Sequence, residues 1–110
     1  MNRTEALQQI ITFGKQRDEA FTKLVKFSYD GDVEHFTLEH KILADVLIMY
    51  ISGSISGDDL EEWANFVECR DDINYLAVED YIYALANPEI MGDISQAKIN
   101  QMLVVLKEYL

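Results

Sequence analysis

Apolar residues recur at helical spacing along almost the whole chain. Ala6, Ile10, Phe13, Arg17, Ala20, Leu24 and Phe27 fall at alternating intervals of four and three, one face of a helix from about Thr4 to Phe27. Gly14 lies off this stripe, a point at which the helix is weakened or kinked. A second helix places Leu38, Ile42, Leu43, Val46, Leu47 and Tyr50 on one broad face, with Thr37 as its N-cap and Gly53 as its terminator. The third and fifth helices have the clearest starts. Ser56 caps a helix with Asp59 at N3, a capping-box variant, and Ile55 and Leu60 occupy the positions of a hydrophobic staple. The cap and staple recur in Ile94-Ser95-Gln96-Ala97-Lys98-Ile99, without the acidic N3 residue.

Leu60, Trp63, Ala64 and Val67 are the inward face of the third helix, and Ile99, Met102, Leu103, Leu106 and Leu110 that of the fifth. Between them, Asp71 or Asp72 caps a fourth helix presenting Tyr75, Val78, Ile82 and Leu85. It stops near Asn87, because Pro88 disfavours helical backbone in the residue before it. Residues 27–36 break the pattern: Asp30-Gly31 between alternating residues signals a small hairpin, but both flanks read as helix, which favours a helix–helix loop. The fold expected is all-α, a compact bundle of about five amphipathic helices in a single domain spanning residues 1–110.

Composition narrows the class. The chain is 49% hydrophobic and 26% charged, a globular mix, with a single cysteine, Cys69, that cannot form an internal disulfide and so suits a reducing compartment. The longest apolar run, Ile42 to Ile51, contains Asp45 and is half the roughly 20 residues a bilayer span needs. No apolar run follows Met1-Asn2-Arg3-Thr4-Glu5, so no signal peptide is expected and the location expected is cytoplasmic.

Charge changes the picture more. The net charge is −11, from 9 basic and 20 acidic residues. Residues 58–93 alone carry 11 acidic groups against Arg70, a net −10 in one stretch. Such a field repels nucleic acid and anionic membranes and attracts cations or a basic surface.

Candidate chemistry is sparse. His35 and His40 are five apart, not at the i, i+4 spacing of a helical zinc site, and read as surface histidines. Cys69, two residues after Val67, reads as a small filler at the edge of the core. An EF-hand loop starting at Asp30 would need glycine at His35 and glutamate at Lys41, so Asp30–Glu34 reads as a solvated acidic loop. Neither a metal nor a cofactor is implied. Arg17 within an apolar stripe is read as reaching out to water, with a buried pair to a carboxylate such as Asp45 as the alternative. The Asp58/Asp59 and Asp71/Asp72 pairs suit helix starts, where negative charge offsets the dipole. That account does not extend to Glu61, Glu62, Glu68, Glu79 and Asp80. Like charges at i, i+3 or i+4 repel by a few tenths of a kcal/mol each, so a single-sign face needs a reason. Steering a basic partner supplies one, and an outward tyrosine such as Tyr83 among carboxylates suits an interface.

The stretch from Ser52-Gly53-Ser54-Ile55-Ser56-Gly57 through Leu60-Glu61-Glu62-Trp63-Ala64-Asn65-Phe66-Val67-Glu68-Cys69-Arg70-Asp71-Asp72-Ile73, continued by Asn87-Pro88-Glu89-Ile90-Met91-Gly92-Asp93-Ile94, resembles small acidic immunity proteins of bacterial toxin systems. It is most similar to those paired with contact-dependent growth inhibition toxins, and more loosely to colicin immunity proteins. The likeness covers roughly residues 50–110. It implies a cytoplasmic, non-enzymatic inhibitor that binds the C-terminal domain of a cognate toxin, commonly a basic nuclease. The family has no catalytic motif to carry over.

The residues expected to meet such a partner are Asp58, Glu61, Glu62, Glu68, Asp71, Asp72, Glu79, Asp80 and Tyr83, the carboxylates standing in for the phosphates of the toxin's substrate. The expected state is a monomer that binds neither nucleic acid nor membrane. The alternative is a helical adaptor or regulatory module docking a basic or amphipathic peptide in an exposed apolar groove. A third reading, a small hydrolase using His40 with a carboxylate, requires a pocket at that histidine.

Overall fold

Helices carry nearly all the regular structure, as the all-α reading requires. The structure, a computed structural model, describes residues 1–27 and 35–110, so the acidic stretch Asp30–Glu34 and most of the hairpin-or-loop segment 27–36 lie outside the described residues. Contacts group the described chain into two units, one formed by residues 1–37 with 71–74, the other by 38–70 with 75–110.

In the first unit the long N-terminal helix is two helices, α1 (Arg3–Ile11) and α2 (Arg17–Leu24). A straight helix cannot bury its stripe against itself; breaking it lets α1 and α2 pack together and bury Ala6, Leu7, Ile10, Ile11, Ala20 and Leu24. Asn2 starts α1 with a capping box: its Oδ1 accepts from the Glu5 N–H at 2.8 Å while its own N–H donates to Glu5 Oε1 at 3.0 Å. The break is a Schellman turn. The Gly14 N–H bonds to the Gln9 carbonyl at 2.8 Å, and Phe13 takes the left-handed position with φ 54°.

Gly14 acts here through space and not through a special φ. A Cβ on it would come within 2.0 Å of the Gln9 amide oxygen, which accepts from the N–H of Gln16 at the start of α2. Arg17 is half-buried and engaged with the turn between α1 and α2. Its Nε–H donates to the Ile10 carbonyl at 3.1 Å, and its guanidinium lies over the Phe13 and Phe21 rings at 4.2 and 5.0 Å. Asp45, in the other unit, closes an ion pair with Lys41 at 2.6 Å.

The first unit also contains two two-residue strands, β1 (Phe36–Thr37) and β2 (Ile73–Asn74), paired in parallel with Phe36 opposite Ile73. The Asp72 carbonyl accepts the N–H groups of His35 and Phe36 at 2.8 and 3.2 Å. Asp71 and Asp72 therefore do not start the fourth helix, because long-range pairing holds the following residues extended. Thr37 likewise lies in β1 and does not cap the second helix.

In the second unit, α3 (His40–Ile51) buries Leu43, Ala44, Val46 and Leu47. It ends in a second Schellman turn with Gly53 at φ 84° and the Ser54 N–H on the Met49 carbonyl, the terminator read from the sequence. The helix α4 (Gly57–Glu68) buries Leu60, Trp63, Ala64 and Val67 as expected. Ser56 and Asp59 exchange both capping-box bonds, at 3.0 and 2.9 Å. A 3-10 turn at Leu76–Val78 leads into α5 (Glu79–Ala86), which packs along α4 and buries Ile82, Ala84, Leu85 and Ala86. Pro88 ends α5 as predicted, and opens the one-turn helix α6 (Pro88–Met91).

The last helix, α7 (Gln96–Leu106), starts at Ser95, whose hydroxyl accepts the Lys98 N–H, and packs against α3. Its burial is thinner than predicted: Ile99 and Leu106 are buried, Met102 and Leu103 half-buried, and Leu110 is exposed beyond its end. Among the described residues no helix is long and apolar enough to cross a membrane.

Candidate functional site

The exposed side of α4 follows from its capping. With Leu60, Trp63, Ala64 and Val67 turned inward, the i, i+3 and i+4 geometry turns Asp58, Glu61, Glu62 and Glu68 outward. Asp58 and Glu62 are exposed, while Glu61 and Glu68 are half-buried. On α5, Glu79 and Asp80 are exposed in the first turn, and Tyr83, one turn on, is 45% exposed. Among the described residues no Lys, Arg or His closes an ion pair with any of these six carboxylates. Arg70, the basic residue nearest in sequence to α4, lies over the Phe66 ring at 5.7 Å.

The structure divides the nine predicted contact residues. Seven of them lie in the second unit, on α4 and α5; Asp71 and Asp72 lie in the first. Asp71 is exposed, but Asp72 is buried beside the strand pair, so its carbonyl serves the fold and its side chain is withdrawn from the surface. Cys69 is exposed at the end of α4, which replaces the expected role as a filler of the core.

Sequence reasoning missed a groove of about 670 Å³ in the second unit. The α5 segment contributes Leu76, Ala77, Tyr81 and Ala84 to it, α7 contributes Met102 and Val105, and Met91 of α6 and Tyr109 near the C-terminus complete its apolar lining. Glu79, Asp80, Lys98 and Gln101 are the polar residues that line it beside His40. Lys98 is already engaged: its Nζ donates to the carbonyls of Met91 and Gly92 at 2.8 and 2.7 Å, closing the end of α6. Tyr81 ionises with difficulty. Burial raises its pKa above the ordinary 10.0, and the charges of Tyr109, Asp80 and Glu108 add to the effect. The available signal for the groove was the excess of apolar residues on α7, where Val104 and Val105 fall outside the inward stripe.

Neither histidine is a simple surface residue. His40 lines the groove with its ring stacked on Tyr109, centroids 4.3 Å apart and planes within 3°. The pocket that the hydrolase reading requires at His40 is therefore present, and the carboxylates Glu79 and Asp80 are among the residues that line it. His35 is half-buried, and its Nε2 finds no hydrogen-bond partner among the described residues.

No family model matches the chain, and no curated protein and no solved structure matches it either.

Proposed function

We propose that this protein is a non-enzymatic immunity protein that binds and neutralises a cognate bacterial toxin domain, with a basic nuclease of the contact-dependent growth inhibition type as its target. The supporting observation is the set of six carboxylates on α4 and α5 that no cation pairs among the described residues. Mutual repulsion makes that arrangement mildly unfavourable in the free protein, and a basic cleft docking on it relieves the repulsion. In this reading Asp58, Glu61, Glu62, Glu68, Glu79 and Asp80 occupy the place of substrate phosphates, and Tyr83 supplies an aromatic contact among them. Inhibition then needs no chemistry, only occupation of the toxin's cleft in the bacterial cytoplasm.

The test is capture of the protein encoded directly upstream, followed by association kinetics. A one-to-one complex with a basic domain is expected. Reversing Glu61, Glu62 and Glu68 to Lys should slow association about tenfold or more and flatten its salt dependence. Association rates unchanged by the reversal would remove α4 from the interface, and absence of any complex at low salt would overturn the inhibitor reading.

The groove favours a second reading, a helical adaptor that docks a basic or amphipathic peptide. Its exposed apolar walls are the feature such a module needs. An adaptor would take peptides from several proteins, whereas an immunity protein is held to one toxin.

A further inference from the structure

We infer that the groove between α5 and α7 receives an amphipathic helix of the partner, one whose apolar stripe is bordered by Lys or Arg. This assignment rests on the reading of the chain as a protein-binding inhibitor and adds a second point of attachment to the α4 carboxylates.

The first observation is the form of the groove. Its volume, about 670 Å³, is that of a ligand pocket, yet much of its apolar wall is itself in solvent: Leu76 is 74% exposed, Tyr109 60%, Val105 49% and Met91 46%. A small molecule enclosed by protein is surrounded by walls that are largely buried. Walls that stay exposed suit an occupant lying along them, so that side chains at i, i+3, i+4 and i+7 enter while its backbone remains outside.

The second observation is the charge of the groove. Glu79 and Asp80 are the acidic residues of its lining. The one lysine of the lining is held by two carbonyls at the end of α6. The two carboxylates Glu79 and Asp80 against that one ammonium leave the lining net negative, which favours a cationic border on the occupant and disfavours a second copy of this chain, which carries a net charge of −11.

The probe is a short helix-forming Leu/Lys peptide with leucines at i, i+3, i+4 and i+7. Its controls are a scrambled peptide of the same composition and a Leu/Glu counterpart, with binding followed through the backbone amide resonances of the full chain. Binding of the Leu/Lys helix should move the resonances of residues 76–84, α7 and Tyr109. Val105→Asp should weaken it at least tenfold. That variant adds a negative charge, so attraction by charge alone would instead become tighter. Leu76→Gln, at a position 74% exposed, repeats the test without a charge change and with little risk to folding.

Equal binding of the scrambled or Leu/Glu peptide, shifts confined to α4, or indifference to both variants would overturn the inference. Should a toxin domain be captured undiminished by both variants, the groove assignment fails and the inhibitor reading stands. Should the peptide bind the groove while no toxin domain is captured, the inhibitor reading fails instead.

Discussion

Phe13 holds a backbone conformation that costs a non-glycine residue roughly 1–2 kcal/mol. The same turn at the end of α3 uses Gly53 and avoids that cost. What Phe13 provides in return is its ring, which lies 4.2 Å from the Arg17 guanidinium while Arg17 Nε holds the Ile10 carbonyl. Phe13→Ala keeps the strained φ and loses the ring, so it should destabilise the protein by about 1 kcal/mol. Phe13→Gly removes the strain together with the ring and should cost less; urea denaturation of the two variants gives the order. A cost for glycine equal to that for alanine would mean that the backbone strain contributes little.

Tyr81 provides a pH prediction at the same scale. Its folded-state pKa lies above the unfolded value near 10, so the unfolded chain loses this proton first as pH rises. The contribution is fully present below pH 10 and is lost as pH climbs through the folded pKa. Ultraviolet titration should show a late-ionising tyrosine that Tyr81→Phe removes, and stability should decline less steeply above pH 10 in that variant.

Among the elements, α4 is the most locally determined. Ser56 and Asp59 satisfy each other's N–H groups, and the four inward residues follow at helical spacing, so its start and its buried face are set within one stretch of chain. Ser56→Ala should cost about 1 kcal/mol by denaturant titration, with an unchanged denaturant slope if the native packing is kept. The start of α5 was not legible in the same way. Asp71 and Asp72 look like caps, but Ile73 and Asn74 pair with Phe36 and Thr37, far away in sequence, and the helix is delayed to Glu79. The contacts of Arg17 were not legible either: its Nε–H reaches back to the Ile10 carbonyl across the turn that joins α1 to α2.

For the molecule as a whole, the decisive quantity is a net −10 concentrated in residues 58–93. Long-range attraction from such a field falls off over a Debye length of about 8 Å at physiological ionic strength. The proposed complex should therefore form fastest at low salt, and most of the salt effect should lie in the association rate. Dissociation should depend mainly on apolar contacts, which salt screens little. Measuring the two rates across an ionic-strength series separates the part played by the carboxylates from that of the apolar contacts in the groove.

The sequence by itself determined whatever depends on neighbours within about one turn. The inward faces of α3 and α4, the Ser56 and Ser95 caps, the Gly53 and Pro88 stops and the outward carboxylates all follow from i, i+3 and i+4 geometry and from local hydrogen bonds. The tertiary structure decided what depends on distant partners. The β1–β2 pair, the burial of Asp72 beside it and the groove lined by α5, α6, α7 and His40 all need residues tens of positions apart to meet. Periodicity shows which side of a helix is apolar, but whether that side is covered depends on the packing of other helices, and on α7 it leaves Val105 half in water.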